Sequence, residues 1–155
     1  MNTRYLSLAA IGLWGCTLVL GAIYLNHDKT RPSSDHRREI SLTERERDLV
    51  LTEMRGVIGS LNGVLLGISE GDRKKIEESA RAAGMVMAAE DNAGLVAKLP
   101  TEFKKMGFGL HHEFDALADA AKSAETPAQL LDRTAKLTSR CNGCHQVYRI
   151  GLAAH

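Results

Sequence analysis

The pentad Cys141-Asn142-Gly143-Cys144-His145, close to the C-terminus, most constrains what this chain can fold into. A Cys-x-x-Cys-His pentad is typical of a c-type haem attachment site. Two thiols three residues apart project from one side of a helical turn, so both can bond to the vinyl groups of a single haem. The adjacent His145 then supplies the proximal imidazole to the iron. The motif therefore predicts one covalently attached haem c, with Cys141 and Cys144 as its thioether anchors.

Two other kinds of site contain a pair of cysteines at this spacing. A dithiol redox motif belongs near a βαβ pattern, which this sequence does not offer. A zinc site needs four ligands, and the third cysteine, Cys16, lies in a distant apolar stretch. His111 and His112 could complete a set of two cysteines and two histidines, but their order and spacing match no familiar zinc finger. Haem attachment is the interpretation that the motif favours.

The N-terminus carries an uncharged apolar stretch of 21 residues, from Tyr5 to Leu25. Crossing a bilayer takes about 20 such residues, whereas the apolar part of a signal peptide has about 7–15 and ends at a small-residue cleavage site. We find no such site near Leu25, and Leu13-Trp14-Gly15-Cys16 is a poor match to a lipoprotein signal. Residues 1–26 are predicted to be an uncleaved membrane anchor, with a cleaved signal as the alternative.

Residues 27–40 are polar and charged, and they are predicted to be a linker with nothing to bury. This segment has four basic residues, whereas the other side of the anchor has only Arg4. The four are Lys29, Arg31, Arg37 and Arg38. The positive-inside rule alone would therefore place the body of the protein in the cytoplasm. Attachment of c-type haem takes place outside the inner membrane of bacteria, and that requirement outweighs a weak charge bias. We expect a bacterial inner-membrane protein whose haem domain faces the periplasm.

Capping signals and apolar stripes predict four helices between residues 41 and 151. The first helix starts at a capping box, Ser41–Glu44, and ends before Gly71; Asp72 caps the second. A looser connection, Asp91–Leu99, precedes the third helix, which starts at Thr101. The inward stripes of the first two helices are Val50, Met54, Val57, Leu61, Val64 and Ile68, and then Ile76, Ala80, Ala83 and Met87.

The fourth helix opens with a capping box and a proline at Thr126–Gln129. The stripe of the third helix is Phe103, Met106, Leu110, Phe114, Leu117 and Ala121, and that of the fourth is Leu130, Thr134, Leu137, Cys141, Cys144 and Tyr148. Both haem cysteines lie on the inward stripe, so the haem must lie inside the bundle. The predicted fold is all-α: an antiparallel up-down-up-down four-helix bundle with a buried c-type haem at 41–151, preceded by one transmembrane helix.

The composition agrees with a helical bundle, because apolar residues make up 44 % of the chain and aromatic residues only 5 %. The net charge of +1, without a basic stripe, argues against nucleic acid as a partner. The sequence carries no paired carboxylates, no nucleophile–base signature and no phosphate-binding loop. We therefore expect no enzymatic activity.

Four helices with the haem motif near the C-terminus resemble the class II cytochromes c, the cytochrome c′ family. The resemblance covers roughly residues 41–151, and it rests on the ending from Cys141 to Arg149, which is similar to that family's Cys-x-x-Cys-His-x-x-Tyr-Arg. It implies that Arg149 lies near the proximal His145 and tunes its electronics. The alternative for Arg149 is a solvated cation at the helix end. The resemblance also makes a homodimer possible.

The same resemblance implies a sixth iron position that faces the first helix. High-spin members of the family have an apolar residue there and low-spin members a Met; in this chain the candidate is Met54. A Met in an apolar stripe is otherwise core filler. The chain departs from the family at Val50, where an Arg would precede the ligand by four residues. His111 is a second candidate ligand, or else the partner of a propionate or of a carboxylate such as Asp115. The other methionines of the domain are expected in the core: Met85, Met87 and Met106.

Iron ligation by Met54 and His145 predicts a membrane-anchored, periplasmic, monohaem c-type cytochrome that carries single electrons. Its expected partners are membrane or periplasmic redox proteins, and the N-terminal helix holds it in the membrane. If Met54 only fills the core, the alternative is a five-coordinate cytochrome c′ that binds nitric oxide or another diatomic gas. A third hypothesis is a haem peroxidase or an accessory enzyme subunit, in which His111 would be the distal acid–base residue.

Overall fold

The computed structural model describes residues 3–26, 30–89 and 93–153. This part of the chain is mostly helical and contains one three-stranded sheet. The helices are α1 (Thr3–Asn26), α2 (Glu44–Glu70), α3 (Arg73–Ala82), α4 (Met85–Ala89), α5 (Ala93–Lys98), α6 (Thr101–Lys122) and α7 (Pro127–Val147). The strands are β1 (Thr30–Pro32), β2 (Arg38–Leu42) and β3 (Tyr148–Leu152).

Helix α1 is the apolar N-terminal segment, and its stretch Ser7–Tyr24 has a mean hydropathy of 1.7 with none of it buried. Within it, the Thr17 hydroxyl donates to the Leu13 carbonyl at 2.9 Å, which satisfies a polar group inside the helix. Its length and composition suit a membrane anchor or a signal sequence. Helix α2 is also long and apolar enough to cross a membrane, with a mean hydropathy of 1.3, but it contributes buried side chains to the core.

The N-terminus of α2 corrects the predicted capping box. Thr43, not Ser41, is the N-cap: its backbone N–H donates to Glu46 Oε2 at 3.0 Å, and its hydroxyl accepts from the Glu46 N–H at 3.4 Å. Both pairs, Ser41 with Glu44 and Thr43 with Glu46, match the motif, but Ser41 is paired in β2 opposite Gly151. The predicted C-terminus is confirmed, since Gly71 adopts the left-handed conformation with φ 71°.

The chain between α2 and α6 is more helical than predicted. Asp72 caps α3 as expected, accepting from the Lys75 N–H at 3.0 Å. Met87, however, belongs to the separate short helix α4, because α3 ends at Ala82. The looser connection predicted for Asp91–Leu99 holds α5, which buries Leu95; Asp91 itself lies outside the described residues.

Helices α6 and α7 begin where the sequence predicts. Thr126 and Gln129 form the expected capping box of α7, with the Thr126 N–H donating to Gln129 Oε1 at 2.7 Å. The end of α7 differs from the prediction: the helix stops at Val147, and Tyr148 is the first residue of β3. Tyr148 is nevertheless buried, as its place in the predicted stripe required.

The three-stranded sheet corrects both the purely helical fold and the predicted linker. β2 lies in the middle of the order β1-β2-β3, antiparallel to β1 and parallel to β3. Ile40 and Leu42 of β2 are each 1 % exposed. Residues 30–40 are therefore part of the folded domain, and only residues 27–29 of the predicted linker lie outside the described chain.

Two apolar clusters form the core of the part of the domain that the structure describes. The first joins α2, α3, α6 and α7 around Phe114 and Val64, both fully buried. The second joins β2, β3, α2, α5 and α6 and consists of Ile40, Leu42, Val50, Leu95, Phe103 and Tyr148. The rings of Phe103 and Tyr148 meet edge to face at 5.4 Å between centroids, a favoured aromatic arrangement. In the second cluster, β2 from the start of the domain thus packs with β3 from its end, beside the pentad.

Candidate functional site

A cavity of about 670 Å³ lies at the second cluster, between α2, α5, α6, α7 and β3. This volume falls within the range of about 300–1,000 Å³ that is usual for ligand and cofactor sites. The predicted site residues all line it: Met54 from α2, Cys141, Cys144 and His145 from α7, and Arg149 from β3. Helix folding brings the pentad to one wall, and the packing of α2 brings Met54 to the same space.

The two cysteines are half-buried in the cavity wall. Burial raises the pKa of both thiols, and the neighbouring Cys141 contributes to the shift at Cys144. Both thiols are therefore protonated and neutral at pH 7. Cys144 also packs against the second apolar cluster, so its sulfur is held at the edge of an apolar space.

His145 occupies the last turn of α7 and is exposed, yet it contributes to the cavity lining. Its backbone carbonyl accepts a hydrogen bond from Arg37 Nη1 at 3.2 Å. Arg37 also lines the cavity, although the sequence assigned it only to a linker. Nothing in a single sequence signals this contact, because it depends on the parallel pairing of β2 with β3.

Met54 is half-buried and packs against the second cluster, together with Met106 of α6. Both methionines line the cavity, so two thioethers face the same space. The sequence placed Met106 in the core, which is correct, but it did not indicate that Met106 lies at the cavity. Met87 packs on the first cluster instead.

His111 also lines the cavity but has both ring nitrogens occupied. Nδ1 lies 2.8 Å from the carbonyl oxygen of Ala83, and Nε2 lies 3.0 Å from Oε1 of Glu53. The expected carboxylate partner, Asp115, instead accepts hydrogen bonds from Arg81 and from the Met85 N–H. The contacts of His111 are those of a structural bridge between helices.

Arg149 lies in a strand rather than at a helix end. Its Nε is 3.2 Å from Glu39 Oε2, and its Nη1 is 3.9 Å from Asp35 Oδ2. Both carboxylates come from the segment that follows the N-terminal helix, so Arg149 connects that segment to the cavity wall.

Further cations line the cavity beside Arg37 and Arg149: Arg47, Lys104, Lys105 and Arg140. Arg140 pairs with Glu113 at 2.6 Å and Lys105 with Glu102 at 2.8 Å. Within the described residues, no three His, Cys, Asp or Glu side chains are grouped so as to hold a metal ion.

Comparison of the chain with protein-family models, with curated proteins and with solved structures gives no match.

Proposed function

We propose that this protein is a membrane-anchored c-type cytochrome of the class II kind, which carries single electrons between redox partners. One observation carries the proposal: the two thiols, the imidazole of the pentad and the Met54 thioether all line a single cavity. Sequence spacing alone accounts for the first three, whereas Met54 reaches the site through the packing of a distant helix.

The residues present fit a haem c. Cys141 and Cys144 supply two neutral thiols on one wall, and His145 and Met54 supply the nitrogen and sulfur donors that favour a high reduction potential. The remaining wall is largely apolar, with Leu95, Leu99 and Phe103 among its members. When bound, the haem supplies a one-electron change at iron. The protein's part would be to bind it covalently through Cys141 and Cys144, to keep it in apolar surroundings and to offer His145 and Met54 as donors to the iron.

The arrangement of α2, α3, α6 and α7 around one apolar core supports the proposed four-helix bundle. In this proposal the bundle does no acid–base chemistry. Among the described residues, His111 is the histidine with a buried side chain at the cavity, and Ala83 and Glu53 hold it.

The N-terminal helix supports a site of action at the membrane, which we propose is the bacterial inner membrane with the haem domain in the periplasm. Because β1 begins at Thr30 and α1 ends at Asn26, four peptide steps connect them. They span at most about 14 Å. Such a short tether raises the effective concentration of the domain near membrane redox proteins.

Gas binding by a five-coordinate cytochrome c′ is the second candidate, and one contact favours it. Met54 packs against the second apolar cluster, as a core methionine would. If Met54 stays in the cluster when haem is bound, the sixth iron position is free for nitric oxide or carbon monoxide.

The two candidates are separated by optical and electron paramagnetic resonance spectra of the purified holoprotein and of two matched variants. Met54→Leu and Met106→Leu remove one thioether each from the same cavity, with nearly equal change in volume. Electron transfer requires a low-spin ferric signal and a Met–iron charge-transfer band that Met54→Leu abolishes and Met106→Leu retains. A high-spin spectrum unchanged by Met54→Leu, with ready binding of carbon monoxide, contradicts Met54 ligation and establishes the gas-binding alternative. A purified chain without covalent haem contradicts both.

A further inference from the structure

We propose that Arg37 is a positioning residue for His145: by capping the last turn of α7, it fixes the imidazole that the proposed function assigns to the iron. The inference rests on that function. It adds a residue from outside the bundle, in the segment between the N-terminal helix and α2.

The contact made by Arg37 satisfies a group that the helix itself cannot. The last four carbonyls of an α-helix have no partner within the helix. At the end of α7 the Tyr148 N–H donates to the Cys144 carbonyl, and the next carbonyl, that of His145, accepts from Arg37 Nη1 at 3.2 Å. A cation at a helix C-terminus also complements the helix dipole. The guanidinium thus holds the backbone of the residue whose side chain faces the iron in the proposed function.

Arg37 is itself held in place by its neighbours. Its Nε and Nη2 lie 2.9 and 2.6 Å from Asp35 Oδ2, and its own N–H donates to Asp35 Oδ1 at 3.2 Å. The Ser33 hydroxyl donates to the Arg37 carbonyl at 2.7 Å. The hydrogen bond from the Arg37 side chain, and to a smaller extent that from Ser33, holds the pKa of Asp35 well below its usual range. The carboxylate therefore stays charged and keeps the guanidinium in place.

The strand that follows Arg37 explains how the guanidinium comes to lie at the end of α7. β2 starts at Arg38 and pairs in parallel with β3, which starts at Tyr148, directly after α7. Because Arg37 directly precedes β2, the pairing of β2 with β3 brings it close to the end of α7. Without the cap, the last turn of α7 loses a charged hydrogen bond at the residue that bears the imidazole, and the ring samples more orientations.

The test is the iron–histidine stretching band in resonance Raman spectra of the full-length ferrous protein, in a Met54→Ala background that opens the sixth position. Arg37→Ala is expected to shift and broaden the band. Asp35→Asn keeps the cation but loosens it, so it is expected to shift the band in the same direction by a smaller amount. Arg31→Ala removes an equal charge from an exposed position of β1 and is expected to leave the band unchanged.

A band in Arg37→Ala that superimposes on that of the parent overturns the inference while leaving the proposed function intact. If Arg37→Ala does not fold, Asp35→Asn decides the question by the same criterion. Equal shifts in Arg31→Ala and Arg37→Ala would also overturn it, because they would show an effect of charge alone. A parent protein without covalent haem, judged by its pyridine haemochrome spectrum, overturns the proposed function and this inference together.

Discussion

His111 Nε2 lies 3.0 Å from Glu53 Oε1, and this contact joins α6 to α2 at the cavity. The other ring nitrogen, Nδ1, faces the Ala83 carbonyl at 2.8 Å; a carbonyl only accepts, so Nδ1 carries a proton. Nε2 then faces the Glu53 carboxyl group within hydrogen-bonding distance. The side chains of His111 and Glu53 are 6 % and 19 % exposed. The bridge thus connects α6 to α2 and to the residue that follows α3, through largely buried polar atoms.

Replacing His111 is expected to destabilise the fold strongly. In His111→Ala the Ala83 carbonyl and the Glu53 carboxyl both lose their partner in a largely buried place, and we expect a loss of about 3 kcal/mol in the free energy of unfolding. Chemical denaturation followed by far-ultraviolet circular dichroism measures it.

The neighbouring His112 is the matched control, because it is exposed on the same helix. His112→Ala is expected to stay within about 0.5 kcal/mol of the parent. Equal effects of the two substitutions would contradict the bridge.

Local signals in the sequence predicted the helical parts well, since each depends on a few neighbouring residues. Asp72, Gly71 and the Thr126–Gln129 box lie where the structure has helix ends. The apolar stripes also identified the cavity side of α2 and α7. These features follow from helical periodicity and capping, which single sequences carry.

The sheet could not be predicted in the same way. β2 and β3 come from opposite ends of the domain, and their parallel pairing aligns Ile40 with Ile150 only in the folded chain. The alternation of Ile40 and Leu42 with polar residues is a strand signal, but it is only five residues long. The capping contact of Arg37 and the ion pairs of Arg149 depend on this pairing, so sequence reasoning could not find them.

Two glycines of α2 are expected to respond in opposite directions to alanine. A methyl group on Gly67 would lie 2.7 Å from Ile76 Cγ1 and 2.9 Å from the Ile76 backbone nitrogen, so α3 would have to move. We expect Gly67→Ala to destabilise the protein by about 1–2 kcal/mol, since overpacking exceeds the gain in helix propensity.

Gly59 has open space around it. Gly59→Ala should therefore stabilise by about 0.5–1 kcal/mol. Denaturation midpoints of the two variants test both signs, and a stabilised Gly67→Ala would refute the close approach of α2 and α3.

Glu46 is expected to make stability depend on acid pH. The hydrogen bond from Lys98, followed by that from Thr43, lowers the pKa of Glu46 from 4.5 to about 2. A carboxyl whose pKa is lower in the folded state contributes stability that is complete above the unfolded pKa and is lost as pH falls toward about 2. Gln can still accept the capping bonds but does not titrate, so Glu46→Gln should be less stable than the parent near neutral pH and equal to it near pH 2. Denaturation at a series of pH values in low salt measures the difference, and a difference independent of pH would contradict the shift.

The segment before α2 is expected to be essential for the stability of the domain. A chain that begins at Thr30 keeps β1 and β2, whereas one that begins at Thr43 loses Ile40 and Leu42, each 1 % exposed. Burying each of these side chains contributes about 1.5–3 kcal/mol, so the shorter chain should lose about 3–6 kcal/mol. Thermal and chemical unfolding of the two truncated chains compare them directly.

The point variant Ile40→Ala in the full-length chain separates the loss of apolar burial from the loss of backbone pairing. It keeps the strand and its hydrogen bonds but leaves a gap in the second apolar cluster, where Ile40 packs with Phe103 and Tyr148. A loss of about 2–5 kcal/mol is expected. Since the same cluster forms part of the cavity wall, the gap left by the variant should also loosen the packing around the cavity. Equal stability of the chains that begin at residues 30 and 43, together with a neutral Ile40→Ala, would mean that 30–42 is a linker after all.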